Sequence, residues 1–191
     1  MLDRAIINHA SPTLAGLKLG SLINLVTGEG FFEEFAGLSE ELREKGVRLM
    51  ILRLLSGKAL VYVYRPLDLE RILDDKEVQG FLAGCGYICF DTDSAIQTLR
   101  KRLNCSVASS QNTDSFPHEI GVFLGYPLED VIGFIENGGR NCLSCGCWKV
   151  YANECAALKA FARFEKCKSV YQRLFASGCP LSRLTVAARS A

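Results

Sequence analysis

Two neighbouring stretches rich in β-branched and aromatic residues, 47–55 and 59–65, constrain the fold of this chain more than any other feature. The linker between them, Ser56-Gly57-Lys58, has the length and the glycine expected of a tight hairpin turn. Both alternating faces of each stretch are mainly apolar, whereas a sheet with one face in water would show polar residues at every second position. The sequence therefore predicts an antiparallel hairpin that is covered on both sides.

Helical patterns and cap residues surround this hairpin. Ser11 as N-cap, Pro12 at the first helical position and Gly20 as the stop signal predict a helix over 12–19. Further helices are predicted at 21–27, 117–124, 128–136, 154–164 and 170–176, and a last edge strand at 184–186. We therefore expect an α+β fold with a single globular domain over 1–191, in which a central, mainly antiparallel sheet built on the 47–65 hairpin is covered by about seven helices.

Charge, hydropathy and cysteine usage exclude several classes of partner. The chain carries 22 Lys and Arg against 21 Asp and Glu, whereas nucleic-acid binding needs a basic surface that neutralises several phosphates. No apolar run approaches the roughly 20 residues that span a bilayer, and no secretory signal pattern opens the chain. The nine cysteines are expected to be mostly buried thiols, not disulfides, in a reducing compartment. We expect a cytoplasmic protein with no nucleic-acid or membrane partner; its oligomeric state is not indicated.

His118 and Glu119 are adjacent at the start of a predicted helix. Neighbours in a helix lie about 100° apart, so the two side chains do not share one face. Val122 stands where the helix of a zinc protease needs its second histidine, and that motif is therefore rejected. A neutral imidazole at a positive helix end, acting as base, donor or ligand, is one interpretation of His118. A histidine that braces the loop is the other.

His9 precedes the predicted N-cap Ser11, and Thr13 follows in the first turn. If the fold brings His9 to His118, the two imidazoles and a carboxylate such as Glu119 would suit a metal or a haem-like cofactor. A buried His9 bonded to the backbone explains the sequence equally well.

Cys142, Cys145 and Cys147 form a cluster whose two-residue spacer resembles half of a zinc site. A second pair of ligands with matching spacing is not found, so these cysteines are only weak metal candidates. A redox dithiol is a second option, although that chemistry usually lies where a strand leads into a helix. Unpaired thiols in a loop are the interpretation that the sequence favours.

Gly138-Gly139-Arg140-Asn141 follows a predicted helix and has the composition of an amide-lined anion pocket. Arg140 would supply positive charge there, and Lys149 would add to it. A glycine C-cap followed by a turn accounts for the same residues.

Four long motifs resemble a bacterial family of unknown function, DUF3793. They are residues 9–18, 60–66, 116–141 and 148–151, and the resemblance extends over essentially the whole chain. Ala10 and Cys147 depart from the residues that are common in this family. The resemblance implies no activity, cofactor or partner.

No catalytic motif follows from these residues, and no cofactor is identified. We predict a cytoplasmic domain that binds a small molecule or cofactor in a pocket near His9 and His118, with residues 138–149 as a wall. The residues expected to contact the ligand are His9, Ser11, Thr13, His118, Glu119, Arg140 and Lys149. A hydrolytic or redox enzyme that uses His118 with a carboxylate or thiol, and a protein-interaction module, are the alternatives.

Overall fold

The computed structural model describes residues 2–108 and 116–188 of the chain. Its elements, in chain order, are α1 Leu2–Leu14, β1 Gly20–Val26, α2 Phe31–Arg43, β2 Arg48–Leu55, β3 Lys58–Tyr64, α3 Pro66–Leu73, α4 Lys76–Gly84, α5 Thr92–Ala108, α6 Ile120–Phe123, α7 Leu128–Glu136, β4 Ser144–Cys145, β5 Lys149–Val150, α8 Glu154–Ala176 and α9 Leu181–Leu184. Within the described ranges, no helix has both the length and the apolar character needed to cross a membrane.

The chain divides into two compact units. Unit 1 comprises the residues up to Asp68 and those from Phe164 onward, and it contains the three-stranded sheet. Unit 2 comprises Leu69–Arg163 and contains the two-stranded β4–β5 ribbon, residues 144–150. The α+β class is confirmed, whereas the assignment of 1–191 to a single domain stays a prediction.

The predicted hairpin is the centre of the sheet in unit 1. The strand order is β1-β3-β2, and both pairings are antiparallel. Six of the seven residues of β3 are buried, as expected for a central strand covered on both faces. Ser56 and Gly57 both have positive φ angles, 49° and 70°, which is the geometry of the type I′ turn that matches the twist of paired strands.

One apolar cluster holds unit 1 together. It joins the inward side chains of the sheet to helices α1, α2 and α9, and its fully enclosed members include Ile6, Leu14, Leu42, Val61 and Val63. Burying a side chain of this size contributes about 1.5–3 kcal/mol. The cluster therefore supplies the main stabilisation of this unit.

Arg65 binds the end of α1 to the C-terminal segment of the chain. Its side chain is buried and donates to the carbonyl oxygens of Thr13 at 2.7 Å, Leu14 at 2.6 Å and Val186 at 2.7 Å. The guanidinium thus satisfies carbonyls that a helix end leaves unpaired, and its charge lies at the negative end of the helix. Burial lowers the pKa of Arg65, a cost that these bonds offset.

Two predicted helices near the N-terminus are wrong. The helix predicted over 12–19 is instead α1, which begins at Leu2 and ends at Leu14, so that Ser11 and Pro12 lie in its last turn and not in its first. Gly16, with φ of 70°, follows the helix as its left-handed terminator. The helix predicted over 21–27 is the edge strand β1.

Three predictions in the second half of the chain also need correction. The helices predicted at 154–164 and 170–176 are one continuous helix, α8, because no glycine or proline interrupts the residues between them. The strand predicted at 184–186 is absent from the described residues; Leu184 ends α9, and Val186 donates to the Leu14 carbonyl at 3.0 Å. The helix predicted at 117–124 shortens to α6, and 117–119 form the turn before it.

Candidate functional site

A cleft of about 250 Å³ lies within unit 2, between helices α6 and α7 and the β4–β5 ribbon. Its walls are mostly apolar and aromatic. The lining residues are His118, Ile120, Gly121, Tyr126, Asp130, Val131, Phe134, Cys145, Gly146, Trp148 and Lys149. The predicted helix 128–136, observed as α7 Leu128–Glu136, supplies one wall with three of these side chains.

Two groups of aromatic rings contribute to the cleft walls. The His118 ring contacts those of Phe116 and Phe134, with ring centroids 5.4 Å and 5.0 Å away. Tyr126 stacks on Trp148 at 5.0 Å with an angle of 28° between the planes. Such pairs contribute about 0.5–1.5 kcal/mol beyond the area that they bury. The rings are therefore held in fixed orientations before any ligand binds.

Glycines allow the walls of the cleft to approach one another. A Cβ atom on Gly146 would lie 2.3 Å from the ring of Phe161, and one on Gly133 would lie 2.6 Å from Tyr151. Both distances are far below van der Waals contact. Any side chain at these two positions would overlap the Phe161 or Tyr151 side chain and force a local displacement.

Asp130 connects α7 to the segment that follows the ribbon. Its side chain is only 3% exposed and accepts three hydrogen bonds: from Trp148 Nε1 at 2.7 Å, from the Tyr151 amide at 2.7 Å and from the Ala152 amide at 3.0 Å. A buried carboxylate needs such donors to replace its hydration shell. Asp130 therefore fixes the indole of Trp148 in the cleft wall, and both of its oxygens are used in doing so.

Lys149 places a positive charge at the edge of the aromatic wall. Its Nζ donates to the Gly139 carbonyl at 2.5 Å and lies 5.8 Å from the centroid of Phe134, within reach of a cation–π contact. Arg140, the other predicted cation, is exposed and does not line the cleft. The structure thus places one of the two predicted cations in the cleft.

Tyr126 is held by its hydroxyl as well as by its ring. The hydroxyl donates to the Cys147 carbonyl at 3.1 Å, on the ribbon. Burial raises the pKa of Tyr126 to about 12. The phenol therefore keeps its proton, and with it this hydrogen bond, to higher pH than an exposed tyrosine would.

Glu119 is adjacent to His118 in sequence but is not part of the cleft lining. Its carboxylate, 2% exposed, pairs with the guanidinium Nε of Arg102 and accepts from the Tyr87 hydroxyl at 3.3 Å. Burial, and next the charge of Glu119, raise the pKa of Tyr87. Glu119 therefore ties the turn before α6 to helix α5.

The other predicted contact residues lie in unit 1. His9 is exposed on α1, whereas Ser11 and Thr13 are completely buried. The Ser11 hydroxyl donates to the Ile7 carbonyl, and the Thr13 hydroxyl is 2.9 Å from that of Ser21. The two hydroxyls are thus bonded within unit 1, and a pocket that includes both His9 and His118 stays a prediction.

The cysteine cluster contributes one side chain to the cleft, Cys145. Cys142, Cys145 and Cys147 are not in disulfides. Of the nine cysteines, all of which lie among the described residues, only Cys167 is buried, so the prediction of mostly buried thiols is wrong. Among residues 2–108 and 116–188, no group of three or more His, Cys, Asp or Glu side chains is arranged to hold a metal ion. Nor does any described residue form a hydrogen bond with the side chain of His118, whose contacts are with rings.

Sequence reasoning missed Tyr126, Asp130 and Phe134 as parts of the site. For Asp130, the sequence does contain a signal. Asp130 and Phe134 are four residues apart in a strongly amphipathic helical pattern, so they share one face. An acidic residue on an otherwise apolar helix face indicates a buried carboxylate with dedicated donors.

Comparisons with known proteins identify a family for this chain. No curated protein and no solved structure has a significant match to this chain. The family model described as "Protein of unknown function (DUF3793)" matches residues 6–185, which is nearly the whole chain and includes every residue that lines the cleft. The chain belongs to this family.

Proposed function

We propose that this chain is a bacterial cytoplasmic protein that binds a small molecule in the cleft of unit 2. One observation carries the proposal: a cleft of about 250 Å³ has four of its lining side chains in ring form, His118, Tyr126, Phe134 and Trp148, with Lys149 at its edge. Ligand sites in proteins are typically concave and mostly apolar, with a few polar groups that fix orientation. This cleft has that composition.

The size of the cleft limits the ligand. Sites for drug-sized molecules usually enclose about 300–1,000 Å³, so this one suits a smaller compound of one or two rings. Flat molecules gain most from such walls because they can stack on the fixed faces of the rings. We therefore expect a planar ligand.

The cytoplasmic location is supported by the cysteines. None of the nine is in a disulfide, and five of them are exposed. Exposed thiols persist in reducing compartments and become oxidised outside them. The alternatives of an enzyme that uses His118 and of a protein-interaction module stay predictions.

Trp148 makes the proposal directly testable, because it is the only tryptophan in the chain and lines the cleft. We expect members of a library of one- and two-ring aromatic compounds to change its fluorescence, and the same compounds to show saturation transfer from the protein in ligand-observed NMR.

A pair of variants controls this experiment. Cys145→Phe fills the cleft from its lining and should weaken every hit at least tenfold. Cys155→Phe makes the same change at an exposed position of α8 outside the lining and should leave each Kd within about twofold. The proposal is wrong if no compound up to millimolar concentration binds, or if both variants weaken binding equally.

A further inference from the structure

The polar groups of the cleft indicate which planar ligand it prefers. Resting on the function proposed above, we propose that the ligand is a small aromatic anion, with its ring against the aromatic walls and its carboxylate or similar group beside Lys149. The hydrogen-bonding groups of the lining that the protein does not use itself favour such a ligand.

Most donors of the lining are engaged within the protein. The indole N–H of Trp148 donates to Asp130, and the hydroxyl of Tyr126 donates to Cys147. Lys149 has three N–H groups and uses one of them for the Gly139 carbonyl. Two N–H groups of a cation are therefore left to meet a ligand.

The carboxylate acceptor of the lining is also engaged within the protein. Asp130 is the one carboxylate of the lining, and its two oxygens receive three N–H bonds. These donors stabilise its charge in place and leave little capacity to bind a cationic or donor-rich ligand. His118 forms no hydrogen bond with a described residue, and a neutral imidazole has one donor and one acceptor. The unused polar capacity of the cleft is thus two N–H groups of the Lys149 cation and the imidazole of His118, and both side chains can donate to an anion.

The ammonium group of Lys149 lies close to the aromatic wall. Lys149 Nζ lies 5.8 Å from the centroid of Phe134, and that ring is 5.0 Å from the ring of His118. A ligand ring placed along this wall has a substituent within reach of the ammonium group. A carboxylate there forms an ion pair with the ammonium group, whereas an amide of the same shape offers it only a neutral oxygen.

Benzoate and benzamide form a matched pair of probes, because they share shape and ring and differ in charge. We expect the wild-type protein to bind benzoate at least tenfold more tightly than benzamide, as measured by Trp148 fluorescence and calorimetry. Lys149→Met should reduce this ratio to about one to two, and Lys149→Arg should retain it. Lys149→Gln serves in the same role if the Met variant fails to fold.

Arg140→Met is the control, since it removes an equal charge that lies close in sequence but outside the lining. It should leave the ratio of affinities unchanged. Equal binding of benzoate and benzamide by wild type would overturn the inference and leave the proposed function standing. The same holds if only uncharged library compounds bind, or if Arg140→Met lowers the ratio as much as Lys149→Met. If no aromatic compound of any charge binds, both the inference and the proposed function are wrong.

Discussion

Replacing Asp130 tests whether the cleft is built as its hydrogen bonds indicate. Asp130→Ala removes the acceptor for three N–H groups, of which the indole of Trp148 is half-buried and the Ala152 amide is at an exposed residue. A buried donor that loses its partner costs about 1–3 kcal/mol, and water can serve the exposed amide. We therefore expect the free energy of unfolding to fall by about 3 kcal/mol.

The free energy of unfolding of Asp130→Asn should lie between those of the wild type and the Ala variant. Its amide oxygen can still accept from the backbone, while its amide nitrogen faces the indole N–H of Trp148, so we expect a loss of about 1–2 kcal/mol. Glu129→Ala is the matched control, because it removes an exposed carboxylate from the same helical turn and should cost less than about 1 kcal/mol.

Urea unfolding followed by the fluorescence of Trp148 measures these changes within unit 2, and the slope against urea should stay constant across the series. The expected order of loss is Asp130→Ala, then Asp130→Asn, then Glu129→Ala. The reasoning is refuted if Asp130→Ala costs less than about 1 kcal/mol, or if it cannot be distinguished from the control.

Three further predictions concern packing, pH and the buried cation. Gly146→Ala should lower the free energy of unfolding by about 1–3 kcal/mol, because its Cβ would lie 2.3 Å from the Phe161 ring, whereas Gly80→Ala, with no atom within 4 Å, should raise it by about 0.5–1 kcal/mol; urea titrations measure both. The pKa of Tyr126 is raised from 10.0 to about 12, so the contribution of its protonated phenol to stability is complete below pH 10 and is lost as pH rises to about 12. In thermal melts over that interval, the Tm of Tyr126→Phe should fall less steeply with pH than the Tm of the wild type. Arg65→Lys should cost about 2–3 kcal/mol by circular dichroism melts, since an ammonium group cannot reproduce the three bonds of the guanidinium; a variant as stable as wild type would contradict that role.

The centre of the fold was predictable because its signals are local. The hairpin 47–65 combines two β-rich stretches with a Ser-Gly turn, and all of these determinants lie within twenty residues of one another. The same holds for helix 128–136, in which a proline precedes a strongly amphipathic stretch that ends before a glycine pair. In both cases propensity, periodicity and turn chemistry agree, and such agreement makes an element predictable from its sequence.

The N-terminal elements were missed because a strong local signal competed with tertiary packing. Ser11 and Pro12 have the preferences of a helix start, yet the helix continues through them, since α1 buries Ile6, Ile7 and Leu14 against the sheet. The gain from that burial outweighs the missing amide of one proline in the last turn. In the edge strand β1, buried residues recur at every second position. Polar residues within the strand obscure this alternation in the sequence.

Prediction of the site was limited by a different physical cause. His118 was identified by the rarity of histidine, and it does line the cleft. The adjacent Glu119 points away from the cleft and binds Arg102, seventeen residues earlier. Adjacent side chains in a turn point in different directions, so their proximity in sequence carries no information about a shared site. Asp130 shows the converse: it contacts the indole of Trp148, eighteen positions away, and no spacing rule links the two. A site whose polar groups are set by tertiary hydrogen bonds becomes visible only when each donor is assigned to its acceptor. In this cleft that assignment leaves two N–H groups of Lys149 and the imidazole of His118 available to a ligand.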